Sequence, residues 1–196
     1  MMYLRIKRVI DLVVSLIGLI VLSPVFVVLI VMIKLESKGG IIFRQKRVGK
    51  NKTHFDILKF RTMRIDTPKD MPTHLLENPE KYITRVGKFL RKTSLDELPQ
   101  LLNILKGDMS IVGPRPALWN QYDLLEERDK YNANGVTPGL TGLAQVKGRD
   151  ELPIKEKAKY DGEYVNNMSL MLDVKIFLMT VRQVVSSDGV KEGGVK

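Results

Sequence analysis

The chain has 196 residues, enough for one sizeable core with an appendage. It contains no cysteine, which excludes a disulfide scaffold, a thiolate zinc site and a cysteine nucleophile. It has two histidines, His54 and His74, which argues against a Ser-His-Asp triad. Thirty-two Lys and Arg stand against 22 Asp and Glu, a net charge of +10, so any catalysis would rest on carboxylates, Lys, Arg and a bound metal ion.

The charge is local. Residues 34–64 hold ten bases and two acids, whereas residues 65–196 hold 19 of each. Arg5, Lys7 and Arg8 form a smaller basic group before an uncharged run, Leu12 to Ile33. Bases on both sides of an apolar run suit the headgroups of an anionic phospholipid bilayer, and no nucleic-acid partner is expected. As a straight helix the 22 residues would be about 33 Å long, near the ~30 Å thickness of a hydrocarbon core. Pro24 interrupts that helix and clashes with the carbonyl of Ile20, and Ser23 can bond back to ease a bend. Each half is then long enough for only half a bilayer. The positive-inside rule is best met if both ends stay on one side. The reading is a re-entrant helix-break-helix hairpin over residues 1–36 with Ser23 and Pro24 as the membrane break. A kinked spanning helix is the alternative.

Further along, Ile41–Phe43 and Phe55–Phe60 read as two short strands around a basic turn from Arg44 to Thr53. Residues 65–80 carry three prolines and read as a mobile surface excursion. Helices are expected at Tyr82–Arg91, at Asp96–Lys106 with a stop at Gly107, and at Pro116–Asn132. Ser110–Val112 reads as extended and Gly135–Asp150 as a glycine-rich loop. Two more helices are expected at Ile154–Val165 and Met168–Val185. The last is apolar enough to be either a core helix or one lying in a membrane interface. Residues 189–196 read as a disordered tail. The fold class is α+β and mainly helical, with a small β-hairpin and interfacial amphipathic helices around a catalytic site in a 37–188 domain.

Four stretches could carry chemistry. Ser94-Leu95-Asp96-Glu97 is a capping box on one reading, with acids in the first turn of a helix. On the other reading it is a functional carboxylate pair. Asp96 would be a nucleophile that needs no histidine to activate it, Glu97 a ligand to Mg2+, with arginines nearby to receive phosphates. In Gly113-Pro114-Arg115-Pro116 the two prolines stiffen the backbone and present one guanidinium suited to gripping phosphate. Otherwise the tetrapeptide is a rigid surface turn. Thr137-Pro138-Gly139-Leu140-Thr141-Gly142, followed by Lys147-Gly148-Arg149, could turn backbone N–H groups and bases toward a phosphate, or be a generic turn. Lys59 and Arg61 alternate onto one face as a cationic wall or a solvated edge. No Walker A, GxGxxG or HExxH pattern occurs.

Taken in order, Lys7-Arg8 before the apolar run, Ser23-Pro24 inside it, KFRTM, TSLDELPQLLNILKGDMSIVGPRP, TPGLTGLAQVKGR and MLDVKIF resemble the monotopic phosphoglycosyl transferases, also called bacterial sugar transferases. The resemblance covers about residues 4 to 190. It implies transfer of a sugar phosphate from a UDP-sugar to a polyprenyl (undecaprenyl) phosphate at the cytoplasmic face of a bacterial membrane, with UMP released. It puts the family's catalytic dyad on Asp96 and Glu97, with Asp96 forming an acyl phosphate in a ping-pong cycle and Glu97 holding Mg2+. Lys59, Arg91, Arg115 and Arg149 fall on basic motif positions that would meet substrate phosphate or nucleotide. The segment Pro114–Tyr122 resembles members that begin capsular polysaccharide synthesis, which suggests a UDP-N-acetylhexosamine or a dideoxy derivative. The residues from Asp66 to Tyr82 lack an acidic motif found in some relatives. A membrane-anchored glycosyl transferase releasing UDP, and a non-catalytic lipid-binding module, remain as alternatives. A homo-oligomer is compatible with the sequence.

Overall fold

Pro24 cannot donate the hydrogen bond that a continuous helix would ask of it, and the carbonyl of Ile20 is the acceptor left over. In the computed structural model, which describes residues 2–67, 79–148 and 152–186, Ser23 Oγ donates to that carbonyl at 2.8 Å. The helix breaks at Leu22. Helix α1 spans Met2–Val21, α2 spans Ser23–Glu36, and the two are bent by 61°. Pro24 becomes a first-turn residue of α2, where a missing N–H costs little. Among the described residues no single helix is long and apolar enough to cross a membrane. The bent pair together is, by length and composition.

Both limbs of this pair are tied into the rest of the protein by polar groups. Along α1, Tyr3, Lys7 and Asp11 recur at a spacing of four and form one stripe. Tyr3 and Lys7 donate to the carboxylate of Asp173. Asp11 accepts from Ser110 Oγ at 2.7 Å and from the Ile111 N–H at 3.0 Å. Arg8 donates to the carbonyls of Ile104 and Leu105. Two of the three bases that read as a headgroup-facing flank therefore make protein contacts. Along α2, Leu29 and Ile33 are buried with Phe60 and Leu90, and the ring of Phe26 lies 5.4 Å from that of Phe60. Glu36 at its end accepts the N–H groups of Arg85 and Val86.

Strands β1 (Ile42–Val48) and β2 (His54–Phe60) form an antiparallel hairpin from Ile42↔Phe60 to Val48↔His54. They are longer than expected. Arg44 to Val48, read as turn, continue β1, because alternation leaves Arg44 and Lys46 exposed while Val48 is buried. Helix α3 (Arg85–Lys92) starts on Thr84, whose hydroxyl accepts the Gly87 N–H at 2.9 Å. The helix expected from Asp96 is divided into a 3-10 turn at Leu95–Glu97 and α4 (Gln100–Lys106), which ends on Gly107 at φ +97°. Strand β3 (Ser110–Val112) pairs in parallel with β4 (Gly139–Thr141). The helix expected from Pro116 is shortened to α5 (Tyr122–Asp129). The residues before it run beside β1 instead, where Val48 N–H donates to the Ala117 carbonyl at 2.9 Å. The loop expected over Gly135–Asp150 contains β4 and helix α6 (Leu143–Gly148).

Helices α7 (Ile154–Asn166) and α8 (Leu170–Ser186) complete the fold. Val112, Leu143, Val146, Tyr164 and Ile176 form the core beneath them. Helix α8 is a core helix along one face and leaves apolar side chains uncovered along the other. Ile176 and Asp173 are buried, whereas Leu170, Met171, Val174, Phe177, Leu178 and Val181 are exposed along a helical stripe. Residues 68–78 of the proline-bearing excursion, Arg149, and the 189–196 tail lie outside the described residues.

Asp11→Ala leaves the Ile111 N–H without its acceptor, leaves the buried Ser110 hydroxyl only the longer bond to the Val112 carbonyl, and opens a gap in the stripe. It is expected to cost about 3 kcal/mol, or about 6–12 °C in thermal midpoint for a chain of this size. Thermal unfolding of the purified chain beside Asp11→Asn, which keeps one acceptor oxygen and should lose less, checks this.

Candidate active site

The end of β2 places two neighbouring side chains on opposite faces. Phe60 is buried against α2 and α3, and Lys59 reaches across to the 3-10 turn. That turn faces the strand because Ser94 adopts a left-handed backbone, φ 56°, which few non-glycine residues do. Its side chain caps nothing, so the capping-box reading fails here. Glu97 is free for another role, and its Oε1 accepts from Lys59 Nζ at 2.7 Å and from Arg115 Nη2 at 3.0 Å. Asp96 is buried beside it, with Lys59 Nζ 3.5 Å from its Oδ2. Arg91, in the last turn of α3, donates from Nε to Thr62 Oγ1 at 2.9 Å and adds positive potential at Asp96.

The two adjacent carboxylates have opposite electrostatic fates. Burial works to raise the pKa of both. At Glu97 the charges and hydrogen bonds of Lys59 and Arg115 outweigh burial, and the carboxyl is held well below the usual carboxylate range. At Asp96 burial prevails over the more distant Lys59, and the ionised Glu97 next door raises it further. Asp96 is therefore the more basic of the pair.

The GPRP loop that carries Arg115 is fixed from several sides. A Cβ on Gly113 would lie 2.7 Å from the Thr137 carbonyl, and one on Gly139 only 2.1 Å from the Gly113 nitrogen. These glycines let β3 and β4 approach. Gly113 N–H donates to Thr141 and Gly139 N–H to Pro114. The Thr137–Gly142 motif is thus the strand partner of the GPRP loop, and those two N–H groups are spent on it rather than on a phosphate. Arg61 is likewise no cationic wall. It is buried and donates to Ser37 and to the Lys38 carbonyl at the end of α2.

Lys59, Arg91, Asp96, Glu97 and Arg115 are brought to one place from β2, α3, the 3-10 turn and the GPRP loop. Arg149 lies outside the described residues. Ser23 and Pro24 sit at the bend between α1 and α2. Sequence reasoning missed Arg128, buried on α5, whose Nη2 donates to the Arg115 carbonyl at 2.9 Å while its Nε donates to Asp161 Oδ2 at 2.7 Å. An arginine on a polar helix carries no signal that separates it from a solvated one. No group of three or more Asp, Glu or His side chains gathers among the described residues. Mg2+ takes as few as one carboxylate alongside substrate phosphates and water, so Glu97 alone would be a sufficient protein ligand.

Comparison with known proteins identifies the family. The family model described as Bacterial sugar transferase matches residues 2–187. The Bacillus subtilis (strain 168) protein named Uncharacterized sugar transferase EpsL is 39% identical over 186 residues, covering 95% of this chain and 90% of that protein. The Exopolysaccharide production protein ExoY of Sinorhizobium fredii is 37% identical over 197 residues, covering 93% and 87%. The UDP-glucose:undecaprenyl-phosphate glucose-1-phosphate transferase of Klebsiella pneumoniae is 40% identical over 188 residues, covering 89% of this chain and 39% of that protein. The chain spans less than half the length of several relatives that it matches, and nearly all of EpsL and ExoY. The chain belongs to the bacterial sugar transferase family and is a phosphoglycosyl transferase.

Proposed function

We propose that this chain moves a sugar-1-phosphate from a UDP-sugar to undecaprenyl phosphate, through a covalent intermediate on Asp96. The observation that carries this reading is the divided pair. A clamped, ionised Glu97 lies beside a buried and more basic Asp96, with Lys59, Arg91 and Arg115 around them. Environments that push two neighbouring carboxylates apart assign them different tasks. The Klebsiella relative's name describes the same transfer for glucose.

In the first half-reaction an oxygen of the Asp96 carboxylate attacks the β-phosphorus of the UDP-sugar. The bond from that phosphorus to the bridging oxygen breaks, and UMP leaves with the electron pair. In the second, an oxygen of the lipid phosphate attacks the same phosphorus. The bond to Asp96 breaks, and polyprenyl diphosphate sugar leaves a regenerated carboxylate. Each half needs a weak base as nucleophile and cations around the phosphates, and neither needs a histidine. The half-exposed guanidinium of Arg115 can grip the diphosphate while still facing Glu97. Glu97 would hold Mg2+, which would screen substrate phosphates and take up charge on the leaving oxygen.

The lipid substrate calls for a membrane, with the bases flanking the apolar run favouring its cytoplasmic face, and three features support a re-entrant seat. The α1–α2 pair is bent where Ser23 and Pro24 meet. Its two outer ends are both pinned to the same body, Lys7 to Asp173 and Glu36 to the start of α3. Helix α8 leaves an apolar stripe uncovered. The name of ExoY, an exopolysaccharide production protein, suggests a role in exopolysaccharide synthesis, and the likeness of Pro114–Tyr122 extends that role to capsule synthesis.

The test is a panel of UDP-sugars with undecaprenyl phosphate, reading the nucleotide released. UMP supports the reading, and UDP would mean sugar transfer without its phosphate. Asp96→Asn should abolish turnover, since an amide cannot form the acyl phosphate, and Glu97→Gln should lose most of it. Normal turnover in Asp96→Asn would end the proposal. Lys59→Met removes the nearer of the two cations on Glu97, so its carboxyl needs a higher pH to ionise. The acid limb of the activity profile, set by the more basic Asp96 that Lys59 also faces, should move upward in pH, and an unmoved limb would show that Lys59 does not govern the ionisation of the reacting carboxylate. For topology, a cysteine placed at Met2 should stay unlabelled from outside intact cells. Pro24→Ala removes the cause of the break, a helix-interior penalty of about 3 kcal/mol, and should expose that cysteine in part of the population. External labelling without the Pro24 change would overturn the re-entrant seat.

A further inference from the structure

We propose that Arg128 is a positioning residue for the phosphate grip of Arg115 and that Asp161 holds it there. This rests on the reading of Arg115 as a ligand to the substrate diphosphate. Arg128 on α5 and Asp161 on α7 are both buried, 5% and 1% exposed. The guanidinium bonds Asp161 Oδ2 from Nε at 2.7 Å and lies 2.6 Å from it through Nη2. The same Nη2 continues to the Arg115 carbonyl at 2.9 Å.

A pair that merely pinned α5 to α7 would have no need of the third contact, and two apolar side chains would join the helices as well. The third contact completes a set. The carbonyls of three consecutive residues in the loop are each claimed by a separate donor. Pro114 is bonded by the Gly139 N–H at 2.9 Å, Arg115 by Arg128, and Pro116 by Arg47 Nη1 at 3.1 Å. The prolines fix φ on both sides of Arg115, and Pro116 confines the Arg115 carbonyl to an extended range within which its direction is still to be set. Arg128 sets it. The Arg115 side chain then leaves a fixed backbone, and little loop entropy remains to be lost when a diphosphate arrives. Asp161 supplies the charge that makes a buried guanidinium tolerable, and Arg128 in turn opposes the effect of burial on Asp161.

The experiment uses the full chain in detergent, with UDP as the probe and thermal midpoint as the control. Arg128→Lys keeps a cation against Asp161, but one ammonium on a shorter stem cannot also hold the loop carbonyl. It should weaken UDP binding by about five- to tenfold, and add no further loss in an Arg115→Ala background. Asp161→Asn is the second probe, nearly isosteric and able to accept a hydrogen bond, with the same non-additivity expected. A loss of binding that survives unchanged in Arg115→Ala overturns the proposal and makes the pair structural. So does unaltered UDP affinity in both variants while Arg115→Ala is impaired. If Arg115→Ala itself binds UDP as the unmodified chain does, the reading of Arg115 falls and this inference with it.

Discussion

One carboxylate oxygen receives two cations, and the arrangement around the site depends on it. Glu97 Oε1 takes Lys59 from β2 and Arg115 from the GPRP loop. Two adjacent acids in a largely buried turn would repel each other and tend to hold a proton. The clamp keeps Glu97 ionised and joins three separate stretches of chain. It leaves Asp96 next to cations without tying it to one at close range. In the proposed mechanism that separates a carboxylate that positions from one that reacts.

The cations are themselves located by the apolar core. Phe60 follows Lys59, Leu90 precedes Arg91, and both apolar side chains pack with Leu29 and Ile33 of α2. Arg61, the next base along, closes on the end of the same helix. Helix α2 therefore belongs to the framework that holds the site. A helix that dips into a bilayer and returns would carry the reactive carboxylate at a defined depth relative to a lipid phosphate. Helix α1 is held through a buried polar stripe instead, whose members Tyr3, Lys7 and Asp11 meet Asp173, Ser110 and Ile111. The hairpin is bonded to the body at both of its outer ends.

The break at Pro24, the short β-hairpin, the extended piece at Ser110–Val112 and the two final helices were legible in the sequence, because each rests on local rules: a missing N–H, alternation, a periodic apolar face. The residues of the clamp were also legible as candidates, since charged groups beside rigid prolines and in a Ser-x-x-Glu pattern are conspicuous. Their partners were not. Whether Glu97 turns back to cap its own helix or outward to Lys59 depends on the left-handed backbone at Ser94, and that is set by how α3 meets the turn. The glycines of Thr137–Gly142 were compatible with a phosphate loop or a generic turn, and neither reading shows a strand partner, because close approach to another strand leaves no local trace. Lys7 and Arg8 read as headgroup-facing bases for the same reason. Their acceptors lie far along the chain, at Asp173 and at Ile104 and Leu105.

The most direct measurement is the mass of the chain after incubation with a UDP-sugar and no lipid acceptor. The account predicts an added sugar phosphate, located by peptide mapping on the fragment containing Asp96 and lost when undecaprenyl phosphate is supplied. An unmodified chain under conditions that support turnover with the lipid present, or an adduct on any other residue, would contradict it.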